Sequence, residues 1–275
     1  MTAWAGAYFA AAKLGVSSLS WMLLHALIGI FLVSGGTAAV NEVVERDIDA
    51  LMRRTAQRPL VTGSMSLLHA SIIAFGMTIG GVLYLGITTN WLTATLAALT
   101  SLSYLVVYTP MKRVHPICTF LGAFPGAMPP VLGWTAIRGR LDPEALVLFA
   151  ILFFWQFPHF HSIAWLYREE YENARIRMLP VVESDGRSTA FAIVMYAIAL
   201  VPVSLAPTLM GMSGWTYFVG ALLLGAGMLW FSLRMWTMKL APIAPESKGR
   251  ARHVLQASVI YLPLLFALMM LNHAA

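Results

Sequence analysis

The chain has 275 residues, of which 59% are hydrophobic and 11% charged, and its mean hydropathy is +0.74. This composition excludes a water-soluble globular protein, because too few polar side chains are present to cover its surface. The net charge of +6 does not indicate nucleic-acid binding, since the basic residues lie in joints between apolar segments and not along one face. We therefore predict an all-α polytopic membrane protein.

Eight apolar stretches of about 20 residues, the length of a spanning helix, follow a shorter leading stretch. The predicted spans are about 1–14 (partial), 20–44, 66–89, 91–108, 116–136, 144–167, 188–210, 215–238 and 254–272. The leading stretch is too short to cross a bilayer alone, and we expect it to be a first helix that lacks its beginning. We predict one transmembrane domain over residues 1–275.

The charges in the joints predict the orientation of the chain. Alternate joints contain fifteen of the eighteen basic residues, and only Lys13, Arg138 and Arg140 lie on the other side. By the positive-inside rule, we expect the fifteen to face the cytoplasm. The membrane we predict is a prokaryotic inner membrane. The same joints contain ten of the twelve acidic residues, all but Asp142 and Glu144. Orientation alone does not require these acids, so we expect a cytoplasmic site that uses both signs of charge.

The first polar motif, NEVVERDIDALMRRTAQRPL, occupies residues 41–60 at the cytoplasmic end of span 20–44. Residues spaced by four lie on one face of a helix, so Asn41, Glu45 and Asp49 form one polar stripe while Asp47 points elsewhere. Oxygen ligands at a membrane helix end are suited to Mg²⁺, which shares its other positions with water and phosphates. The alternative is a charged helix end that neighbouring arginines balance, although ionisable groups at membrane depth are usually functional.

The second motif, VYTPMKRVHP, occupies residues 107–116, where Pro110 is expected to end the preceding helix. Lys112 and Arg113 are adjacent cations. Such a pair after a span can be a topology signal only. Beside a metal–carboxylate site, the same pair would neutralise a diphosphate.

The third motif covers residues 153–187 and contains Glu169 and Glu170 at the cytoplasmic end of span 144–167. These glutamates are candidates for a second set of oxygen ligands opposite the first, or else belong to a solvated charged loop. His159 and His161 lie on different helix faces and do not make a zinc site. We expect His159 to line a cavity and assign no role to His161.

Two acidic clusters, interspersed cations and an apolar bundle match the two ends of an isoprenyl diphosphate. A membrane cavity would hold the apolar tail, and a cytoplasmic metal site would hold the charged head. Mg²⁺, lysine and arginine would stabilise the departing diphosphate, while the enclosed cavity keeps water from the allylic cation.

Several motifs then identify a known family. They are N-x3-E-x-D-x-D at 41–49, RTAQRPL at 54–60, YTPMKR at 108–113, GAxPGAMPPVLGW at 122–134, WQFPHF at 155–160, REEY at 168–171 and MLPVV at 178–182. In order and spacing they resemble the UbiA-type intramembrane prenyltransferases, and most closely the branch that farnesylates heme. Three departures occur. A Thr-Lys-Pro-Arg segment that usually enters the first helix is absent, ARIRMLP at 174–180 stands where AGxxMLP is usual in that branch, and Glu169 and Glu170 stand where paired aspartates are usual.

The resemblance implies a fold, a site and a reaction. The fold would be a bundle of nine helices, in which two halves of four helices each surround a central cavity. Mg²⁺ would be bound by the first motif and by the two glutamates, and a farnesyl group would pass from farnesyl diphosphate to a vinyl group of heme B with addition of water. Heme B would be a substrate and not a permanent cofactor, and the product heme O would go to heme A synthase or a terminal oxidase. The implied catalytic and metal residues are Asn41, Glu45, Asp49, Lys112, Arg113, Glu169 and Glu170, and the implied substrate-binding residues are Arg54, Arg58, Tyr108 and His159.

Two other functions remain open from the sequence. One is a UbiA-type prenyltransferase for an aromatic or quinone acceptor, against which WQFPHF and MLPVV count. The other is a secondary transporter with acidic coupling-ion ligands. A transporter predicts acids near the bilayer midplane and an inverted repeat, whereas the acids here lie at one face.

Overall fold

The structure, a computed structural model, describes residues 1–15, 21–238, 241–242 and 244–273. Residue 20, the predicted start of one span, and Lys239 lie outside these ranges. The described helices are α1 (Thr2–Leu14), α2 (Trp21–Asp49), α3 (Pro59–Thr62), α4 (Leu67–Thr88), α5 (Trp91–Leu102), α6 (Thr109–Met111), α7 (Cys118–Ala127), α8 (Pro129–Arg138), α9 (Pro143–Leu166), α10 (Arg168–Asn173), α11 (Leu179–Val182), α12 (Arg187–Leu209), α13 (Trp215–Trp236) and α14 (Pro245–Leu271). The predicted all-α fold is confirmed.

Eight helical segments of the described chain are long and apolar enough to cross a membrane. Two of them are composite: Trp91–Met111 joins α5 to α6 through a π-helical turn, and Cys118–Arg138 joins α7 to α8. The thirteen-residue α1 is not among the eight, so the expected number of nine spanning helices is not established. Large apolar side chains such as Phe31 and Ile87 are exposed, as expected for a surface in contact with lipid.

Two helices extend beyond their predicted spans on the charged side. The second helix continues past residue 44 to Asp49, and the last begins at Pro245, before the predicted residue 254. Hydropathy marks only the apolar part of a helix, whereas backbone hydrogen bonding continues through the polar residues beyond it. The extension of α2 places the first acidic motif on a continuous helix.

Small residues bring α2 and α4 into backbone contact. A Cβ atom on Gly36 would lie 2.5 Å from the Thr78 nitrogen, and a Cβ atom on Gly81 would lie 2.8 Å from the Val33 nitrogen. Such close approach is typical of helix pairs in membranes, where van der Waals packing drives association. This pair forms one wall of the half-bundle that carries the first motif.

The second half-bundle consists of α9, α12, α13 and α14, which supply most of the largest hydrophobic cluster among the described residues, and α1, α7 and α8 supply most of the rest. The Tyr217 hydroxyl donates to the Ser204 carbonyl at 2.6 Å, and the Ser204 hydroxyl is 2.7 Å from the Tyr261 hydroxyl. These bonds satisfy buried polar groups in an apolar environment. The site described below lies between α9 of this half and the helices α2 and α7.

Five charged residues that the sequence assigned to the non-cytoplasmic side meet at one end of the bundle. They form two groups, Lys13 with Glu144, and Arg138 and Arg140 with Asp142. Burial alone would raise the pKa of Asp142, but hydrogen bonds from Arg138 and Trp134 and the charges of both arginines lower it below its ordinary value. The cluster lies where the ends of α1 and α8 meet the start of α9, at the opposite end of α9 from Glu169 and Glu170.

The contact between α2 and α4 can be tested with two adjacent glycines. We expect Gly81→Ala to lower the stability by roughly 1–3 kcal/mol, because its Cβ would meet the Val33 backbone. A Cβ on Gly80 would meet nothing within 4 Å, so Gly80→Ala is the matched control. Thermal unfolding in detergent should show a lower Tm for Gly81→Ala only; equal Tm values would contradict the close packing.

Candidate active site

The predicted polar stripe at the cytoplasmic end of α2 is buried. Asn41, Glu45 and Asp49 are 8%, 7% and 2% exposed, whereas the Asp47 side chain is 87% exposed. The three buried side chains share one helix face because each is four residues from the next. They line a cavity between the helices.

Each carboxylate of the stripe has a cation as its partner. Lys112 lies 2.6 and 2.7 Å from the two Glu45 oxygens, and Arg58 lies 2.5 Å from an Asp49 oxygen. The Asn41 amide donates to Glu45 at 2.7 Å and accepts from Thr109 at 2.8 Å. Such pairing offsets the cost of removing both charges from water.

A π-helical turn, Ser103–Tyr108, precedes the lysine and directs two tyrosines into the cavity. Pro110, two residues beyond this turn, has no N–H to donate to the preceding turn, and wide turns of this kind often occur at functional sites. The ring centres of Tyr104 and Tyr108 are 5.0 Å apart, and the Lys112 ammonium lies 4.8 Å from the Tyr108 ring centre. On α7, Gly122 makes room for the Tyr108 ring, which a Cβ would approach to 2.6 Å.

The segment from α10 to α11 covers the cavity on the predicted cytoplasmic side. The Tyr171 hydroxyl accepts from Arg54 at 2.7 Å, and the Arg54 guanidinium lies 4.9 Å from the Tyr171 ring centre. Burial raises the pKa of Tyr171, and the nearby Arg54 charge opposes this shift in part. The Arg177 backbone N–H donates to the Lys112 carbonyl at 2.8 Å, which fixes this covering segment to the base of the lysine.

The cavity has a volume of about 310 Å³. Its lining comprises polar and charged residues near the ends of α2 and α6 and mainly uncharged residues from α7, α9 and the covering segment. The lining residues are Asn41, Glu45, Asp49, Met52, Arg54, Thr55, Arg58, Tyr104, Tyr108, Lys112, Thr119, Gly122, Gly126, Gln156, Phe160, Tyr171, Ile176 and Met178.

Of the residues singled out in the sequence, seven line this cavity: Asn41, Glu45, Asp49, Arg54, Arg58, Tyr108 and Lys112. Arg113 is exposed and lies outside the lining, because it follows Lys112 on a different side of the turn. His159 is also outside the lining, since its ring nitrogen is 2.8 Å from the Ser258 hydroxyl and its ring stacks on Trp155.

The two predicted glutamates do not join the first motif in this structure. Glu169 is paired with Lys248 of α14 at 3.0 Å, and Glu170 has a buried oxygen with no hydrogen-bond partner among the described residues. The described part of the chain contains no group of three or more His, Cys, Asp or Glu side chains that could hold a metal ion. The donor set at the cavity is therefore Asn41, Glu45 and Asp49, and an amide with two carboxylates fits Mg²⁺ when substrate oxygens complete the coordination.

Several polar residues of the site had no role assigned from the sequence, among them Tyr104, Thr109, Gln156 and Tyr171. Tyr104, Tyr108 and Lys112 are spaced by four residues. This spacing predicts that Tyr104 lies on the same helix face as the other two. The other three lie in motifs already quoted, but their orientation depends on tertiary contacts.

Arg175 adopts a left-handed backbone conformation, with φ of 56°. It stands in ARIRMLP at the position where the resembling branch usually has glycine. Glycine adopts this conformation without cost, whereas a Cβ atom makes it unfavourable. The covering segment therefore keeps a glycine-type turn although the residue is arginine.

Comparison with known proteins identifies the family. The model of the UbiA prenyltransferase family matches residues 1–244. The chain belongs to this family. It is 67% identical over 272 residues to a protoheme IX farnesyltransferase of Koribacter versatilis. The alignment covers 99% of this chain and 88% of that protein. The predicted family is confirmed.

Solved structures show the same fold at low sequence identity. This UbiA family member aligns with a digeranylgeranylglyceryl phosphate synthase structure at a TM-score of 0.79 and 16% identity, over 98% of this chain and 92% of that chain. It also aligns with a UbiA homologue from Archaeoglobus fulgidus bound to GPP and Mg²⁺, at a TM-score of 0.63 and 15% identity, over 98% and 95% of the two chains. The chain is an integral membrane protein with the UbiA fold.

The turn at Arg175 gives a stability prediction. We expect Arg175→Gly to raise the stability by roughly 1 kcal/mol, because glycine relieves the unfavourable φ of 56°. Arg177→Gly is the matched control, since Arg177 is also exposed but does not have a positive φ. Thermal unfolding measures both variants, and a fall in the Tm of Arg175→Gly would contradict the strain.

Proposed function

We propose that this UbiA prenyltransferase transfers a farnesyl group from farnesyl diphosphate to a vinyl group of heme B, with addition of water, to give heme O and diphosphate. The observation that carries the proposal is the buried ionic stripe of α2 at one end of a membrane cavity. The high identity to a protoheme IX farnesyltransferase supports the farnesyl donor and the heme acceptor. We treat residues 1–275 as one transmembrane catalytic domain.

The diphosphate would bind where the cations now meet the carboxylates. Lys112 and Arg58 pair with Glu45 and Asp49, so both can shift toward phosphate oxygens when the carboxylates gain another positive partner. Arg54, which now donates to Tyr171, lines the same end of the cavity and would add a further donor. Arginine and lysine are well suited to phosphate oxygens because their bonds are charge-assisted.

Asn41, Glu45 and Asp49 would hold Mg²⁺, and the solved homologue bound to GPP and Mg²⁺ supports this assignment. When bound, the ion would supply positive charge that stabilises the departing diphosphate. Glu169 and Glu170 are proposed to complete a second metal set on substrate binding, which would require Glu169 to leave Lys248.

The remaining residues bind and shield the reacting groups. The uncharged lining from α7 and α9 would hold the farnesyl chain and exclude bulk water from the allylic cation. Tyr104 and Tyr108 present ring faces beside the diphosphate end, where a developing cation would be stabilised. We further propose Arg113 as an outer diphosphate partner and His159 as a heme contact.

Substrate supply and product release would take place from the membrane. We propose that the chain lies in a prokaryotic inner membrane with its acidic and basic loops on the cytoplasmic side, as the positive-inside rule predicts. Heme O would then pass to heme A synthase or a terminal oxidase. A UbiA-type enzyme for an aromatic or quinone acceptor is the alternative, and mass spectrometry of the extracted product distinguishes the two acceptors.

The role of the stripe is tested by two aspartates of the same helix. We expect Asp49→Asn to reduce heme O formation at least a hundredfold, because Asp49 is buried at the cavity and paired with Arg58. Asp47→Asn is the matched control, since its side chain is 87% exposed and directed away. Heme O is measured by mass spectrometry in membranes containing equal amounts of folded protein. Equal activity of the two variants would refute the site.

The proposed metal dependence is tested by chelation. We expect EDTA to abolish farnesyl transfer and added Mg²⁺ to restore it, because the buried carboxylates would hold the ion against the diphosphate. Diphosphate release is the measurement. Full turnover in EDTA would contradict the proposed metal dependence, but it would not contradict the proposed diphosphate site.

A further inference from the structure

Gln156 of α9 is a buried amide whose orientation is fixed. It is 4% exposed, and its nitrogen donates to the Ala123 carbonyl at 3.1 Å and to the Leu152 carbonyl at 3.2 Å. These two bonds use both hydrogens of the amide nitrogen. Rotating the amide would place its oxygen against two carbonyl oxygens, so the oxygen remains on the other side.

The amide oxygen of Gln156 is left as a hydrogen-bond acceptor at the cavity. Gln156 lines the cavity, and no described residue donates to its oxygen. The oxygen lies against Gly126, where a Cβ atom would overlap it. An uncharged lining thus contains one oriented acceptor whose position depends on a glycine of the facing helix.

The acceptor lines the same cavity as the polar stripe of α2. With a rise of about 1.5 Å per residue, Gln156 is about 15 Å from the end of α9 at Leu166. Asn41, the deepest member of the α2 stripe, is about 12 Å from the end of that helix at Asp49. Both residues lie more than two turns inside their helices, and both line the same cavity, in which the proposed substrate would place the bond that breaks.

We propose that Gln156 holds the water molecule that is added to the heme vinyl group, an inference that rests on the proposed function. Diphosphate departs with the electron pair of the farnesyl C1–O bond, and the vinyl π electrons form the new C–C bond to C1. The positive charge is then on the vinyl carbon next to the porphyrin ring. Water supplies an electron pair to form the C–O bond there, and its proton passes to the released diphosphate.

An amide has two advantages for this task over the ionisable groups nearby. Its oxygen accepts a hydrogen bond from water and so directs a lone pair of the water toward the cation. Being neutral, the amide can be buried without a counter-ion, whereas a carboxylate at this depth would require one and would compete with water for the cation. Gln156 acts after the diphosphate has left, so it governs which product forms.

The test is the ratio of two products. Gln156→Met keeps the length of the side chain and removes the acceptor. Without a positioned water, the cation loses a proton from the neighbouring CH₂ group and gives an alkene, a farnesylated heme lighter by one water. We expect the ratio of heme O to this alkene, measured by mass spectrometry, to fall at least tenfold while diphosphate release continues.

Two further variants make the result specific. Gly126→Ala places a Cβ atom where the amide oxygen now lies, so it should lower the product ratio as Gln156→Met does. Phe153→Leu changes the same face of α9 at a residue outside the cavity lining, and its product ratio should equal that of the wild type. Folding of each variant is checked by its Tm in detergent.

The outcomes separate the two proposals. A wild-type protein that forms no farnesylated heme overturns the proposed function. A wild type that forms heme O, together with an unchanged ratio in Gln156→Met, overturns the role of Gln156 alone. Loss of diphosphate release in folded Gln156→Met also overturns it, because a water-positioning residue acts after that step.

Discussion

The site depends on two carboxylates that are buried at a membrane helix end and neutralised by cations from other segments. Lys112 follows the π-helical turn and Arg58 follows α2, so neither ion pair exists until these segments have packed together. Removing one partner of a buried pair leaves an uncompensated charge, which costs about 3–5 kcal/mol. The same pairs hold Lys112 and Arg58 beside the cavity. If a diphosphate entered together with a metal ion, the cations could pair with the phosphate oxygens while the carboxylates bound the metal.

The part of this site that local geometry determines was predictable from the sequence. Helical periodicity alone places Asn41, Glu45 and Asp49 on one face, and hydropathy locates the helices that carry them. The polar extension of α2 beyond residue 44 was not predicted as a span, because hydropathy does not detect a helix that continues into charged residues. The extension carries Glu45 and Asp49, so helical periodicity located them where hydropathy did not.

Residues whose direction depends on distant contacts could not be placed from the sequence. Glu169 forms an ion pair with Lys248, and His159 forms a hydrogen bond with Ser258. Lys248 and Ser258 both belong to α14, which is distant in sequence. Gln156 is the opposite case, since two backbone carbonyls hold its amide and a glycine of α7 gives its oxygen room. The motif WQFPHF locates this glutamine on a helix, but only the packing of α7 against α9 shows which atom meets the cavity.

The covering segment shows how a departure from the usual family pattern is accommodated. Arg175 adopts the left-handed conformation normally assigned to glycine, and the neighbouring backbone is held by the bond from Arg177 to the Lys112 carbonyl. Ile176 and Tyr171 bury their side chains in the same cluster as Ile48 and so anchor the segment to α2. A turn held by a backbone bond and by apolar burial on both sides can retain its shape despite one unfavourable φ. The replacement of glycine therefore alters stability at this turn and leaves the lysine backbone, and with it the ammonium group at Glu45, in place.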